Sequence, residues 1–337
     1  MVTTSALRYI SKQCLIYAIT LLIAFTVVFF FLRLIPGDPF SRFLQTMLDR
    51  YSYTIPTNKQ LIDVYKQKFG LDKDLLTQYL NYLRQLFLEF DFGPSFINFP
   101  HSAKELIISR LFWSIGLLSI STIIAWVIGL IAGTLVGWKR GSKLDSALFT
   151  LALCMSRIPL YLSALLLVLV FAYVLGVFPL KWAYSPTLAP SLNLEFVLDV
   201  IHHATLPALS LILVVAFGWL ISARAITITI LGEDYLLFAQ AKGLKKVTIL
   251  YRYVLRNTLL PQVTGLAMSL GSIVNGFYLI EWIFSYPGIG SLLTLALSAL
   301  DYNTIQGITL ISIFAVLTAN LIVDIIYPLV DPRIRQE

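Results

Sequence analysis

Six long apolar runs constrain the fold of this chain more than any other feature. A helix needs roughly 20 apolar residues to cross the hydrocarbon core of a bilayer. Of the 337 residues, 58% are hydrophobic and only 13% are charged, and the mean hydropathy of +0.81 lies outside the range of soluble globular domains. We therefore predict an all-α polytopic membrane protein with six transmembrane helices. The runs are Cys14–Leu32, Leu111–Trp138, Ser146–Leu180, Ala204–Ala223, Asn257–Ile280 and Tyr302–Val323.

The first run has the length of a membrane span rather than that of a signal peptide. Its 19 uncharged residues exceed the roughly 7–15 of a signal-peptide core, and no small-residue cleavage site follows. We expect an uncleaved first helix. The third run is the least regular, because Arg157 interrupts it and because Pro159 and Gly176 leave its ends poorly defined.

Lysine and arginine residues outside the runs predict the orientation of the chain, since short cytoplasmic loops are enriched in them. Twelve of these residues fall at the two termini and in the loops after the second and fourth runs, whereas the opposite short loops hold only Lys181. Both termini are therefore predicted to be cytoplasmic. The net charge of +7 follows from this asymmetry and does not indicate a nucleic-acid partner.

The segment Pro36–Arg110 is predicted to lie outside the cell and to be largely helical. Between Leu75 and Phe90, leucine and aromatic residues recur at three- and four-residue steps, which indicates an amphipathic helix with one apolar face. Asn58–Phe69 has the pattern of a shorter helix. We expect these helices to pack on the outer mouth of the spans. Burial against the domain is favoured, and binding of an external partner stays open.

Few residues are available for catalysis or metal binding. The histidines His101, His202 and His203 lie outside the apolar cores, and the two cysteines form no C-x-x-C pair. Neither a membrane haem site nor a serine-protease site can be assembled from this set. No G-x-x-x-x-G-K-[ST] motif occurs, so the chain is not expected to hydrolyse ATP. We predict no enzyme activity, no cofactor and no metal site on this chain.

A charged stretch of 30 residues, Gly232–Pro261, separates the fourth and fifth runs. On a helix, Tyr235, Ala239 and Gly243 recur at four-residue spacing and form a stripe that ends in small residues. Small side chains permit the close approach of another surface, and Gly243 can end the helix in a left-handed conformation. The pattern favours a docking site for a partner protein over a helix that lies on lipid headgroups.

Charged residues inside or beside the spans are costly. We interpret Arg157, Arg224, Glu281 and Asp324 as structural or gating contacts. Arg224, near the cytoplasmic end of the fourth run, is expected to snorkel to the membrane surface.

The order of motifs along the chain resembles the first permease subunit of the dipeptide, oligopeptide and nickel ABC importers, which have the type I import fold. The resemblance covers nearly the full length. Two stretches, Leu111–Ser114 and Ile226–Ile230, depart from the usual family pattern, which weakens inference of the substrate more than of the fold. The residues that carry the resemblance are Arg33–Pro39, Asp91–Gly93 with Ser95, Arg140–Ser142 with Leu144 and Asp145, Glu233–Tyr235 with Ala239 and Ala241–Leu244, Arg256 and Asn257 with Leu260 and Pro261, Tyr286–Gly290, Asp301 and Tyr302 with Gln306 and Gly307, and Asp331–Arg335.

The resemblance implies that Gly232–Pro261 is the EAA loop, a coupling helix that inserts into a cleft of an ATPase subunit. It also implies a homologous second permease, two ATP-binding subunits that hold ATP and Mg, and an external substrate-binding protein, all at the cytoplasmic membrane of a prokaryotic cell. The coupling residues carried over from the family motif are Glu233, Asp234, Tyr235, Ala239, Ala241, Lys242, Gly243 and Leu244.

Six spans would supply only half of a translocation pathway, and the fifth run is expected to line it. Small and polar residues repeat along one face of that run, although helix packing explains them equally well. These residues are Thr264, Met268, Ser272 and Asn275. An outer gate or a packing role is expected for Glu281, Pro287 and Gly288.

Along the chain we expect a first helix with its external loop over 1–105, an ABC type I transmembrane domain of five helices over 106–328 and a cytoplasmic tail over 329–337. Import of peptides is the expected function, with oligosaccharides or, less readily, nickel as the alternative cargo. A membrane enzyme would need an intramembrane catalytic set, and a channel or ion-coupled transporter would need midplane charges or inverted repeats. The sequence shows none of these features, so both classes are less favoured than a transporter subunit.

Overall fold

The computed structural model describes residues 4–34, 72–271 and 278–330 of the chain. All regular secondary structure in these ranges is helical. The shorter helix predicted over Asn58–Phe69 lies outside them. The helices are α1 (Thr4–Leu34), α2 (Leu75–Arg84, continued by a π-helical turn over Gln85–Glu89), α3 (Ala103–Trp138), α4 (Lys143–Met155), α5 (Leu160–Leu167, continued by a π-helical stretch over Val168–Val174), α6 (Leu194–Ile230), α7 (Asp234–Ala241), α8 (Lys246–Ile249, continued by a π-helical stretch over Leu250–Leu255), α9 (Arg256–Gly271), α10 (Tyr278–Ile283), α11 (Ile289–Ala299) and α12 (Tyr302–Val330).

The chain divides into two compact units that do not follow its linear order. Unit 1 takes its described residues from 1–114, 274–278 and 287–337, and unit 2 takes them from 115–273 and 279–286. Helix α3 therefore contributes its first turns to unit 1 and the remainder to unit 2. The segments predicted from the sequence, 1–105, 106–328 and 329–337, are divisions along the chain, whereas these units combine distant parts of it. The predicted boundaries therefore stay a prediction.

Four helices are long and apolar enough to cross a membrane: α1 from Tyr9, α3, α6, and α12 as far as Ile322. They contain the first, second, fourth and sixth apolar runs. The predicted fifth span is represented by α9 and α10, with residues 272–277 between them outside the described part. The count of six spans therefore stays a prediction, whereas the all-α membrane fold is confirmed.

The third predicted span, which the sequence showed to be interrupted near Arg157 and Pro159, consists of two helices. Helices α4 and α5 are bent by 94° across a short break at residues 156–159. Pro159 lies in this break, and its nitrogen carries no hydrogen with which to continue the hydrogen-bond ladder of α4. The pair counts as one broken span or as a re-entrant segment. At the far end, Gly176 adopts a φ of +63°, a left-handed conformation that glycine tolerates.

In unit 1, α1 and α12 pack antiparallel. The hydroxyls of Tyr17 and Thr318 are 2.8 Å apart, and Leu32 near the other end of α1 shares a buried cluster with Ile305 near the start of α12. Residue numbers therefore rise along one helix as they fall along the other. Because lipid offers no hydrophobic drive for helix association, packing and such interhelical hydrogen bonds hold the pair together.

The loop between α2 and α3 is fixed in unit 1 by the carboxylate of Asp301, which caps α12. Its Oδ2 accepts hydrogen bonds from the Ser95 hydroxyl at 2.6 Å and from the backbone N–H of Phe96 and Ile97 at 2.9 and 3.2 Å. Thr304 donates to the same carboxylate through its backbone N–H and its hydroxyl. The family-like residues Ser95 and Asp301 are thus joined into one buried anchor.

In unit 2, helices α3 and α6 approach closely along a glycine seam formed by Gly129, Gly133 and Gly137. A Cβ atom at Gly129 would lie 2.4 Å from Cβ of Trp219, and one at Gly133 would lie 2.4 Å from the carbonyl oxygen of Leu220. Only glycine permits this distance, as in other small-x-x-x-small helix pairs of membrane proteins. The four-residue spacing is legible in the sequence, although no contact was predicted from it.

Candidate functional site

The charged loop Gly232–Pro261 begins with the short helix α7 and a turn on either side of it. After α6 ends at Ile230, a two-residue turn leads to Glu233, the N-cap of α7. Asp234 occupies the first turn, where a negative charge is favourable beside the helix dipole. Gly243 follows the helix with a φ of +73°, so the predicted left-handed ending is confirmed. The N–H of Leu244 then closes the turn by donating to the carbonyl of Ala239.

One side of α7 is buried against the chain itself. Leu236 and Ala239 are 2% and 3% exposed and share a cluster with the buried residues Ile230, Ile249 and Val254. Trp138, at the end of α3, packs against the same cluster. At the N-terminal end, the side-chain amide of Asn257 donates to the Tyr235 hydroxyl at 2.9 Å. The helix is therefore seated on the ends of the neighbouring helices rather than extended into solvent.

The other side of α7 is exposed and apolar. Leu237 and Phe238 are 62% and 70% exposed, and Ala241 and Lys242 at the end of the helix are exposed as well. Large apolar side chains that remain open to solvent on a soluble surface commonly mark an interaction site. The exposed basic residues of the loop, all of which follow this face in the sequence, are Lys242, Lys245, Lys246, Arg252 and Arg256.

The position of Ala239 changes the explanation of the small-residue stripe. Four-residue spacing grouped Tyr235, Ala239 and Gly243, and the stripe was expected to receive a partner. In the structure Ala239 is directed into the chain's own cluster, so its small size serves internal packing. The exposed face available to another molecule consists instead of Leu237, Phe238 and Ala241.

Arg224 does not snorkel as expected; it forms an ion pair with Asp145. Its Nε donates to Oδ1 of Asp145 at 2.6 Å and its Nη2 to Oδ2 at 3.0 Å, and its guanidinium lies 4.0 Å from the ring centre of Phe149. The carboxylate is 4% exposed and also accepts the Gly141 N–H. This two-pronged geometry links α4 to α6. Partners separated by 79 positions give no local signal in a sequence.

Two further polar contacts join α6 to α9, directly after the loop. The hydroxyls of Thr227 and Thr258 are 3.2 Å apart, and the side-chain amide of Gln262 donates to the Ser222 hydroxyl at 2.9 Å. Such interhelical bonds are available because no water competes for them in a bilayer. They connect the segment that follows the loop to the long helix that precedes it.

Two of the four residues predicted to line a translocation path lie in the described part of the chain. On α9, Thr264 is half-buried and Met268 is 49% exposed, whereas Ser272 and Asn275 lie outside the described residues. Glu281 is buried in unit 2 and its backbone carbonyl accepts the Tyr286 N–H at 2.7 Å. In unit 1, Gly288 caps α11 and Pro287 precedes it. Their roles in a path or gate stay predictions.

Metal binding has no obvious location in the part of the chain that is described. Over residues 4–34, 72–271 and 278–330, no three histidine, cysteine, aspartate or glutamate side chains are grouped so that they could share a metal ion.

These features define a class of protein: an all-α polytopic membrane protein in which a short helix, packed on the ends of long apolar helices, exposes apolar side chains. Residues 125–336 match the family of binding-protein-dependent transport system inner membrane components. The chain belongs to this family. It is accordingly a permease subunit of a transporter and not itself an enzyme.

Curated relatives match over nearly the whole chain. The oligopeptide transport system permease protein AppB of Bacillus subtilis is 32% identical over 97% of this chain and 98% of its own length. The dipeptide transport system permease protein DppB of the same organism is 31% identical over 97% and 98%. The glutathione transport system permease protein GsiC of Escherichia coli K12 is 30% identical over 98% and 99%.

Proposed function

We propose that this chain forms half of the translocation pathway of an ATP-driven peptide importer. The observation that carries the proposal is the match of nearly its full length to permeases named for oligopeptides, dipeptides and glutathione. All three names denote amide-linked cargo. Oligosaccharides and nickel are the alternative cargoes, and neither occurs in the names of these three relatives.

The proposed assembly contains a homologous second permease, two ATP-binding subunits with their ATP and Mg, and a substrate-binding protein outside the membrane. Both termini and the loop Gly232–Pro261 face the cytoplasm in this arrangement, as the distribution of basic residues favours. ATP binding closes the ATP-binding subunits and moves the loops of the two permeases, which rotates the permease halves toward the outward-open state. Hydrolysis resets them.

The contact with the ATP-binding subunit is proposed to use the exposed face of α7. Leu237 and Phe238 supply an apolar knob, while Lys242, Lys245 and Lys246 supply positive charge beside it. The complementary surface is an apolar cleft with an acidic rim, because opposite charges around an apolar centre give both affinity and orientation. The buried side, with Leu236 and Ala239, transmits movement of the helix to the ends of α3 and α6.

Insertion of bulk at Ala241 tests this docking surface. Ala241 is exposed and helical, so Ala241→Trp can be accommodated by the isolated chain while it blocks close approach of a partner. We expect loss of transport and of substrate-stimulated ATPase activity in the reconstituted complex, with unchanged membrane insertion. Ala241→Ser, which adds little volume, is the matched control. Transport that persists with tryptophan at this position would remove the docking proposal.

Cargo is tested by uptake into proteoliposomes that hold the complete complex and its binding protein. The vesicles in which the ATP-binding subunits face the lumen are loaded with ATP. Labelled dipeptides and longer peptides should accumulate in these vesicles, and only when that ATP is present. A labelled oligosaccharide and Ni²⁺ serve as the competing cargoes. Accumulation of either one in place of the peptides would overturn the cargo assignment and leave the permease assignment intact.

A further inference from the structure

The segment Leu75–Glu89 of unit 1, comprising α2 and its π-helical turn, exposes large apolar side chains. Leu86 is buried in a core cluster, and Tyr79, Tyr82 and Leu83 of the same segment are half-buried. The apolar side chains of this segment that are exposed by half or more of their area are Leu75, Leu76, Leu80, Phe87 and Leu88.

This segment packs along α1 through several side-chain contacts. Arg33 donates to the side-chain oxygen of Gln78, and the hydroxyls of Thr26 and Tyr79 are 2.7 Å apart. Two pairs of aromatic rings add to these contacts. The rings of Phe29 and Tyr82 stack with centres 5.1 Å apart, and those of Phe25 and Phe87 lie 5.9 Å apart.

These contacts fix the depth of the segment relative to the membrane. The candidate span of α1 is 26 residues long and ends at Leu34. At 1.5 Å per residue it is about 39 Å long, against about 30 Å for the hydrocarbon core, so Phe25 and Thr26 fall inside that core. A segment that touches α1 from Arg33 down to Phe25 therefore lies at the level of one leaflet, not in the aqueous space beyond it.

We propose that Leu75–Glu89 lies within one leaflet of the membrane, against α1, and that its exposed apolar side chains are covered by lipid acyl chains. Its surface continues that of α1, where Val27, Phe30 and Phe31 are exposed at the same level of the span. The exposed side chain of Arg84 is long enough to rest its stem on apolar surface and to reach the headgroups.

The composition of the exposed side chains distinguishes lipid from a protein partner. Interfaces between membrane helices are enriched in glycine, alanine, serine and threonine, which let backbones approach. The glycine seam between α3 and α6 shows this pattern within the same chain. The exposed apolar side chains of Leu75–Glu89 are leucine and phenylalanine instead, which suit a fluid acyl-chain environment.

Fluorescence quenching in lipid nanodiscs tests the proposal. In a full-length background with Cys14→Ser and Cys154→Ser, an environment-sensitive dye is attached to Leu80→Cys or Leu88→Cys. Asp72→Cys, exposed just before α2, is the matched control. Lipids brominated on their acyl chains should quench the dye several-fold more strongly at positions 80 and 88 than at 72, and aqueous iodide should show the opposite order.

Two outcomes would overturn the proposal. Iodide quenching at positions 80 and 88 as strong as at 72 would place the surface in water. Protection from both quenchers that appears only after the partner subunits or binding protein are added would identify a protein contact. The readout requires neither ATP nor cargo, so it is independent of the proposed function.

Discussion

Two buried aspartates, one in each unit, are stabilised in different ways. In unit 2, the negatively charged Asp145 is paired with the positively charged Arg224 through two short hydrogen bonds. In unit 1, Asp301 has no arginine or lysine within ion-pair distance among the described residues, and it is instead surrounded by donors from Ser95, Phe96, Ile97 and Thr304. The first carboxylate depends mainly on one side chain 79 positions away, and the second depends on several backbone N–H groups and hydroxyls, from Thr304 nearby and from the loop at Ser95–Ile97.

The difference has consequences for how each site tolerates change. An ion pair taken out of water gains little over a well-packed apolar pair, but leaving one member alone is costly. A carboxylate that collects backbone N–H groups has no such apolar replacement, because those donors would be left without an acceptor. The pair in unit 2 should therefore be replaceable as a pair, whereas the anchor in unit 1 should not be.

The largest effect is expected for Asp301→Ala. The substitution leaves the N–H groups of Phe96, Ile97 and Thr304 without their carboxylate acceptor and removes the cap of α12, which should cost about 5 kcal/mol of unfolding free energy. We expect a sharp fall in folded yield and a lowered thermal unfolding temperature in detergent, followed by tryptophan fluorescence. An unfolding temperature equal to that of the unmodified chain would refute the anchor.

A smaller effect is expected for Arg224→Leu or Asp145→Leu alone, and a smaller one again for both together. Each single variant strands a charge and should lose about 3 kcal/mol, at the low end for a buried pair because the guanidinium remains 19% exposed. The double variant should recover most of that loss. If the double variant were as unstable as the sum of the singles, the two aspartates would not differ as described.

The smallest effects are expected at the serines beside each aspartate. Ser142 caps α4 by accepting the Asp145 N–H at 3.1 Å, so Ser142→Ala should lose about 1 kcal/mol. Ser95→Ala removes a donor to Asp301 and an acceptor for the Ile97 N–H, and should lose somewhat more. Side-by-side thermal unfolding of the two variants measures the order, and the reverse order would weaken the view of Asp301 as the denser network.

The apolar runs predicted the membrane fold because spanning a bilayer demands length and hydropathy, both of which are local properties. Helix breakers were also visible, as Pro159 and Gly176 show. The 94° bend between α4 and α5 was not, since a proline marks the place of a break without setting its angle. Likewise, the amphipathic pattern of Leu75–Phe90 gave a helix but not what covers each side.

The loop Gly232–Pro261 shows a similar limit at the candidate site. Residue types and the glycine identified a helix with a left-handed ending, and both features are present. Periodicity grouped Tyr235 with Ala239 but could not tell whether that stripe faces inward or outward, because small residues suit both close internal packing and docking. The rest of the site depends on contacts between residues distant in sequence, such as that of Arg224 with Asp145, which a sequence pattern does not reveal.

Cross-linking at the exposed face of α7 tests the central claim most directly, namely that a partner ATPase drives this chain through that helix. In the reconstituted complex, Leu237→Cys and Phe238→Cys should each cross-link to an ATP-binding subunit that carries single cysteines along its cleft. Ala239→Cys, buried one position away, should not. Absence of cross-links at 237 and 238 in a complex that transports its cargo would contradict the account.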